Sequence, residues 1–237
     1  WKVWIVMGLF HSPKIVTDGL VLALDAANPK SYPGSGTTWN DLSGNGNHGT
    51  NANMTFETDK GGVFDFNNSN SQSSIANSDS LNPVSQLTIE AVVNFDGNST
   101  DFIFEKGNVN SQYSLFSHST DLVFRTVHAG DSGYDSLYAY KYMGGGYKIV
   151  NGQYHHVLGS YNGSTKKTYI DGVEVATKNK TGNLATTTPG AAVGDFGGTS
   201  TGYPFGGKIA LVRVYNIGLT ASQVKQNFES LRGRFGL

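Results

Sequence analysis

The chain has 237 residues, of which 17 are basic and 18 acidic, for a net charge of −1, and it contains no cysteine. So balanced a charge offers no broad field to hold a phosphate backbone or an anionic membrane, which argues against nucleic acid as a partner. The lack of thiols removes disulfides, thiolate metal sites and cysteine nucleophiles together.

Charged residues are only 15% of the chain, against about 25% in soluble proteins generally, and 31 Gly, 12 Tyr and 13 Phe stand out beside abundant Asn, Ser and Thr. That mixture suits tight turns and half-buried strands. The first ten residues, WKVWIVMGLF, are apolar. They lack both a small-residue cleavage site and the roughly 20 apolar residues needed to span a bilayer, so neither a signal peptide nor membrane insertion is expected. Two readings of this stretch stay open: Met7 is the natural start and residues 1–6 are an extension, or residues 1–15 form an apolar arm that pairs with a neighbouring chain.

From residue 16 to 237 a single domain is expected. Short apolar or alternating runs at 19–26, 61–68, 86–95, 101–106, 113–117, 121–127, 154–162, 166–178 and 208–216 each read as strands, punctuated by turn clusters. No helical pattern lies between them, so a parallel sheet built from βαβ units is disfavoured and two packed antiparallel sheets are expected. Residues 40–53, NDLSGNGNHGTNAN, are too rich in Gly and Asn for regular structure and read as a shaped loop. In TYIDGVEV the pair Asp171-Gly172 marks a type I′ hairpin turn, and row 134–147 carries Tyr134, Tyr138, Tyr140, Tyr142 and Tyr147, with the middle three on one side of an extended strand. One helix is expected at the C-terminus. Thr220 and Gln223 form its capping box, Val224, Phe228 and Leu231 its apolar face, and Gly233 and Gly236 its stop.

Taken in order, LVLALDAANPKSY, the W-N-DLSGNGNHGT loop, VFDF, LTIEAVVNF, YHHVLGSYNG, TYIDGVEV, VGDFGG and GGKIALVRVYNIGLTASQVKQNF resemble the laminin-G-like, concanavalin A-like lectin/glucanase jelly rolls over residues 16–232. Val92 departs from the pattern, since many relatives have Trp there. The resemblance implies an all-β, two-sheet antiparallel jelly-roll sandwich with one short C-terminal helix. The two ends of the chain, IVTDGLVLALDAANPKSYPGSGTTWNDLSGNGNHGT and QNFESLRGRFGL, are also similar to laminin-G-like proteins of tailed-bacteriophage virions. This implies a non-catalytic capsid-decoration, fibre or tail-associated protein displayed on the virion surface. Its partners would be other virion proteins or further copies of itself, and surface glycans. The alternative is a free or secreted carbohydrate-binding lectin-like domain.

Fold does not fix function, so candidate sites are weighed separately. Laminarinase-type relatives carry E-x-D-x-x-E along one strand, which brings nucleophile and proton donor into one cleft. Here Glu57-Thr58-Asp59 lacks the third carboxylate and Glu90 reads as framework, so no enzymatic activity is expected. His155 and His156 are adjacent in a strand and face opposite ways, which suits packing rather than a metal pair. The tyrosine row is a candidate glycan or subunit contact, with core packing as its bland counterpart. No cofactor is required. Ca²⁺ is the one candidate, with Asp41, Asn45, Asn47 and Asp25 as oxygen donors, beside the competing reading that these Asx residues fix their own loop.

Overall fold

The computed structural model describes residues 13–67, 70–97, 100–107, 112–118, 121–140, 149–196 and 203–237. Of the N-terminal stretch read from the sequence, residues 1–12 lie outside these, as do Tyr142 and Tyr147. Among the described residues no helix is long and apolar enough to cross a membrane.

The strands are β1 (Leu20–Asp25), β2 (Thr38–Trp39), β3 (Gly49–Ala52), β4 (Thr55–Glu57), β5 (Val63–Asp65), β6 (Gln72–Ile75), β7 (Leu87–Phe95) and β8 (Asp101–Lys106). They continue as β9 (Tyr113–His118), β10 (Asp121–Val127), β11 (Tyr134–Tyr140), β12 (Tyr154–Tyr161), β13 (Thr165–Ile170), β14 (Val173–Asn179), β15 (Ala191–Val193) and β16 (Gly207–Tyr215), followed by α1 (Ala221–Phe235). All pairings are antiparallel. The first sheet runs β14-β13-β12-β7-β16-β5-β4, with β1 also on β16, and the second runs β11-β10-β9-β8-β15-β6-β3-β2. This is the jelly-roll sandwich with a C-terminal helix that the sequence implies.

Alternation fills the space between the sheets. Ile89, Ala91, Val93 and Phe95 of β7 meet Leu115, Leu122 and Phe124 of the second sheet in one core that also takes in Trp39. Trp39 is fully buried and edge-on to Phe64. Gly159 on β12 is required by this packing, because a Cβ there would run into the Phe124 ring. The remote face of the first sheet is apolar too, and α1 covers it: Leu231 and Phe235 join Val63, Val92 and Leu211, while Val224 joins Leu158, Tyr169 and Tyr215. Val92, where relatives carry Trp, therefore lies under the helix.

Two local expectations are corrected. Residues 49–52 are strand rather than loop, because Gly49–Ala52 pairs with Gln72–Ile75 through backbone groups that do not depend on side-chain type. Row 134–140 is the strand expected there, paired along β10. The helix does not stop at Gly233: it runs to Phe235 and ends at Gly236 in the left-handed conformation, φ 76°. A mid-helix Gly costs about 1 kcal/mol relative to Ala, and the burial of Leu231 and Phe235 on either side of it offsets that.

Candidate functional site

The outer face of the second sheet is not covered by a helix. Registers across β15, β8, β9, β10 and β11 align Ala192, Glu105, Ser114, Arg125 and Ser136 as one row, and Phe102, Phe116, Val123 and Tyr138 as the next. One row is polar and its neighbour aromatic.

The aromatic row is a continuous stack. Phe102 and Phe116 lie parallel, centroids 4.6 Å apart at 9°, while Phe196 and Tyr203 approach Phe102 at 5.1 and 6.1 Å. Arg125 extends the stack, its guanidinium carbon 4.5 Å from the ring centroids of both Phe116 and Tyr134. At the bottom of this surface Phe102, Phe116 and Val123 are buried, whereas Tyr134, Tyr138 and Tyr203 stand 50%, 48% and 51% exposed around it. Half-exposed tyrosines beside a buried aromatic floor present flat π faces and hydroxyls together, the surface on which a sugar ring can stack while its hydroxyls are read. Tyr140 ends the same strand, and its side chain lies outside the described residues.

Of the side chains described on this face the sequence brings forward only Tyr134 and Tyr138; Tyr203 is missed, because it stands in a Gly-rich loop apart from the tyrosine row. Phe102 is missed because alternation in DFIFEK puts Phe102 and Phe104 on one face; a β-bulge at Ile103 separates them, sending Phe104 into the core and Phe102 outward. A bulge leaves no mark in the sequence. Arg125 does leave one: in DLVFRTV, Leu122 and Phe124 face the core, so Val123 and Arg125 share the other side.

The 40–53 loop is held by its own side chains. Asp41 Oδ1 accepts the N–H groups of Ala23 (2.8 Å) and Ser43 (2.9 Å), and Oδ2 accepts the Ser43 hydroxyl (2.7 Å) and the Asn47 N–H (3.0 Å). Asn47 donates to the Val21 carbonyl (2.7 Å) and accepts from Ser78 Oγ (2.6 Å); Asn45 donates to the Leu20 carbonyl and Ser43 Oγ. Asp25 is drawn elsewhere, its Oδ1 accepting from Ala27 N–H and pairing with Arg234 at 2.7 Å. The four residues thus serve as clasps between β1, the loop and α1. Among the described residues no group of three or more His, Asp or Glu is placed to hold a metal.

Two further polar clusters are structural. Glu90 is sealed under α1, where Oε1 meets His156 Nε2 (2.8 Å) and Oε2 accepts from Tyr215 (3.1 Å) and Asn227 (2.9 Å), with Arg213 at 3.5 Å. Burial pushes this carboxyl up, but the Arg213 charge and the bonds from His156 and Tyr215 outweigh it and bring it down to about 2. His155 faces the other way and pairs with Asp171 at 2.8 Å. Asp171 and Gly172 take φ 50° and 78°, the two positive values a type I′ turn demands. A cleft of about 570 Å³ opens beside His155, where Tyr154 is paired with Asp59 and Lys208 with Glu57, and its rings Tyr154 and Phe235 are buried, so it presents no open aromatic face.

A family model described as the concanavalin A-like lectin/glucanases superfamily, of laminin-G type, matches residues 67–225, more than half of the chain. No curated protein matches the sequence. Similar solved structures include the binding domain of Paraclostridial Mosquitocidal Protein 1, at 16% identity and a TM-score of 0.69, covering 90% of this chain and 52% of that one. Another belongs to botulinum neurotoxin type C, whose cell entry is dependent upon interaction with two ganglioside molecules, at 16% identity and TM-score 0.68, covering 91% and 52%. A third is domain 4 of AbnA, a GH43 extracellular arabinanase from Geobacillus stearothermophilus, in complex with arabinotriose, at 20% identity and TM-score 0.62, covering 88% and 97%. The chain thus spans about half the length of the two toxin chains and nearly all of the arabinanase domain. At these identities the likeness establishes the fold.

Proposed function

We propose, from the premise that this chain belongs to the concanavalin A-like lectin/glucanases superfamily, that it is a non-catalytic glycan-binding sandwich. The observation that carries the reading is the aromatic outer face of the second sheet, a buried Phe floor rimmed by half-exposed Tyr134, Tyr138 and Tyr203. Sugar rings stack on such faces, and hydroxyls and amides at the rim read their hydroxyl groups. Support comes from neighbours of the same fold, one solved with arabinotriose and one whose cell entry depends on gangliosides.

Catalysis is disfavoured by where the carboxylates lie. A glycosidase needs two of them facing each other across the bond to be cut, roughly 5 to 9.5 Å apart. Glu90 is fully buried beneath α1, while Glu57, Glu174 and Glu229 are paired with Lys208, Lys167 and Arg232 on the first sheet or the helix. Glu105 lies on the aromatic face but is fully buried, and Asp195 beyond β15 is 2% exposed with its Oδ1 on the Phe196 N–H. Asp121 shares the face, yet by strand spacing its backbone lies roughly 16 Å from that of Glu105.

The setting we propose is the surface of a tailed-phage virion, as a decoration, fibre or tail-associated protein, with a free lectin-like domain as the alternative. Its support is the resemblance of the two ends of the chain to virion proteins, together with the apolar first ten residues. Display in many copies would turn weak single contacts into useful avidity. Affinity electrophoresis in gels cast with neutral and acidic polysaccharides tests the glycan reading. Retardation of the wild type, relieved by Tyr138→Ala, with no release of reducing ends, is the expected result; release of reducing ends would overturn the non-catalytic reading. Electron cryo-microscopy of the native assembly tests the setting, since a particle lacking a regular array of this sandwich would exclude it.

A further inference from the structure

We infer that Arg125 makes the aromatic face selective for acidic glycans, gripping the carboxylate of a sugar acid; the inference rests on the glycan reading above. Arg125 is a held but uncommitted cation. Its guanidinium carbon lies 4.5 Å from the ring centroids of both Phe116 and Tyr134, which hold it in place by cation–π contact. Among the described residues one of the five N–H donors is used, Nε to Ser136 Oγ at a long 3.4 Å. No ion pair to Arg125 forms among the described residues.

That vacancy is not an effect of the undescribed segments, because all 18 Asp and Glu residues of the chain fall within the described ones. The cross-strand neighbours of Arg125 are Ser114 and Ser136, both neutral. Ser114 Oγ is buried without a hydrogen-bond partner, a spare donor next to the guanidinium. Glu105 shares the face, but its backbone lies two strands away, roughly 10 Å, and it forms no ion pair with Arg125. Elsewhere among the described residues many basic side chains are committed: Lys166 and Lys178 to Asp135, Lys180 to Asp131, Lys208 to Glu57, Arg213 to Glu90, Arg234 to Asp25. A planar guanidinium with an open edge, fixed in place by two rings, matches a carboxylate through two parallel bonds, and its ordering cost is already met by the stacking.

The test is an array of neutral, carboxylated and sulfated glycans probed with the full-length wild type and with Arg125→Gln, Arg125→Lys and Tyr138→Ala, each first shown to melt cooperatively. Carboxylated glycans should dominate the wild-type signal. Arg125→Gln should weaken them about tenfold or more, a clearly larger loss than it causes for neutral ligands. Arg125→Lys should recover little, because an ammonium has no fork. Undiminished acidic binding in Arg125→Gln, or full recovery in Arg125→Lys, would overturn the inference, and so would a preference for neutral sugars. In each of those cases loss of binding in Tyr138→Ala would leave the aromatic platform standing. An array on which nothing binds would remove the platform and the inference together.

Discussion

Residues on the two faces of the sandwich do different work, and their substitutions should separate accordingly. Tyr134 and Tyr138 are half exposed on the second sheet, so truncation removes a ring without opening the core. Tyr138→Ala is expected to weaken a bound oligosaccharide by about 1 kcal/mol, roughly fivefold, while the melting temperature stays within a degree or two in parallel calorimetry. Glu90 is the opposite case. Gln in its place leaves Arg213 and His156 buried with a neutral partner, which costs about 3–5 kcal/mol. The folded Glu90 carboxyl titrates at about 2, below its ordinary 4.5, so its stabilisation is complete above about pH 4.5 and drains away as the pH falls through 2. Acid unfolding followed by circular dichroism should therefore show a shallower slope between pH 4.5 and 2 in Glu90→Gln than in the wild type, from a lower starting stability. The sequence presents Glu90 as framework and sets His155 and His156 on opposite faces, both from strand alternation. It could not show that Asn227 of the helix and Val16 close the same network, because that juxtaposition spans 211 positions.

Among the elements, the helix was the most legible. Its capping box is present as read, with Thr220 accepting from the Gln223 N–H and the Gln223 side chain accepting in return. Thr220→Ala should cost about 1 kcal/mol and lower the melting temperature by about 2–4 °C, and amide exchange should quicken in the first turn. The strands of the core were legible wherever apolar residues alternate. The short ones, β2, β3, β6 and β15, were not: their sequences TW, GTNA, QSSI and AAV are too short or too polar to show a period, and they exist because neighbouring backbones need partners. The aromatic face suffered in the same way. Tyr134 and Tyr138 stand in one row and were read together, whereas Tyr203 comes from a distant loop and Phe102, Phe116 and Arg125 belong to three separate strands, brought side by side by register and a bulge.

For the molecule as a whole, the edge where β11 faces β13 and β14 is pinned by charge. Asp135 of the second sheet meets Lys166 at 3.0 Å and Lys178 at 2.6 Å on the first, and the fully buried Lys166 also lies over the Phe124 ring. Burial pulls the Lys166 ammonium down to about 8 despite Asp135. The unfolded chain therefore holds this proton more tightly, and the wild type should gain stability relative to Lys166→Met as the pH rises from about 8 toward 10.5. Calorimetry of both chains across that range checks the sign.

Everything proposed about function turns on one surface, and backbone amide shifts of the labelled protein, followed during titration with a glycan that it retains, test it most directly. Perturbations gathered on β8 to β11, centred on Phe116, Arg125 and Tyr138, are the expected result. Perturbations gathered instead around the 40–53 loop, or in the cleft beside His155 and Asp171, would mean that the glycan-binding surface lies elsewhere on the sandwich.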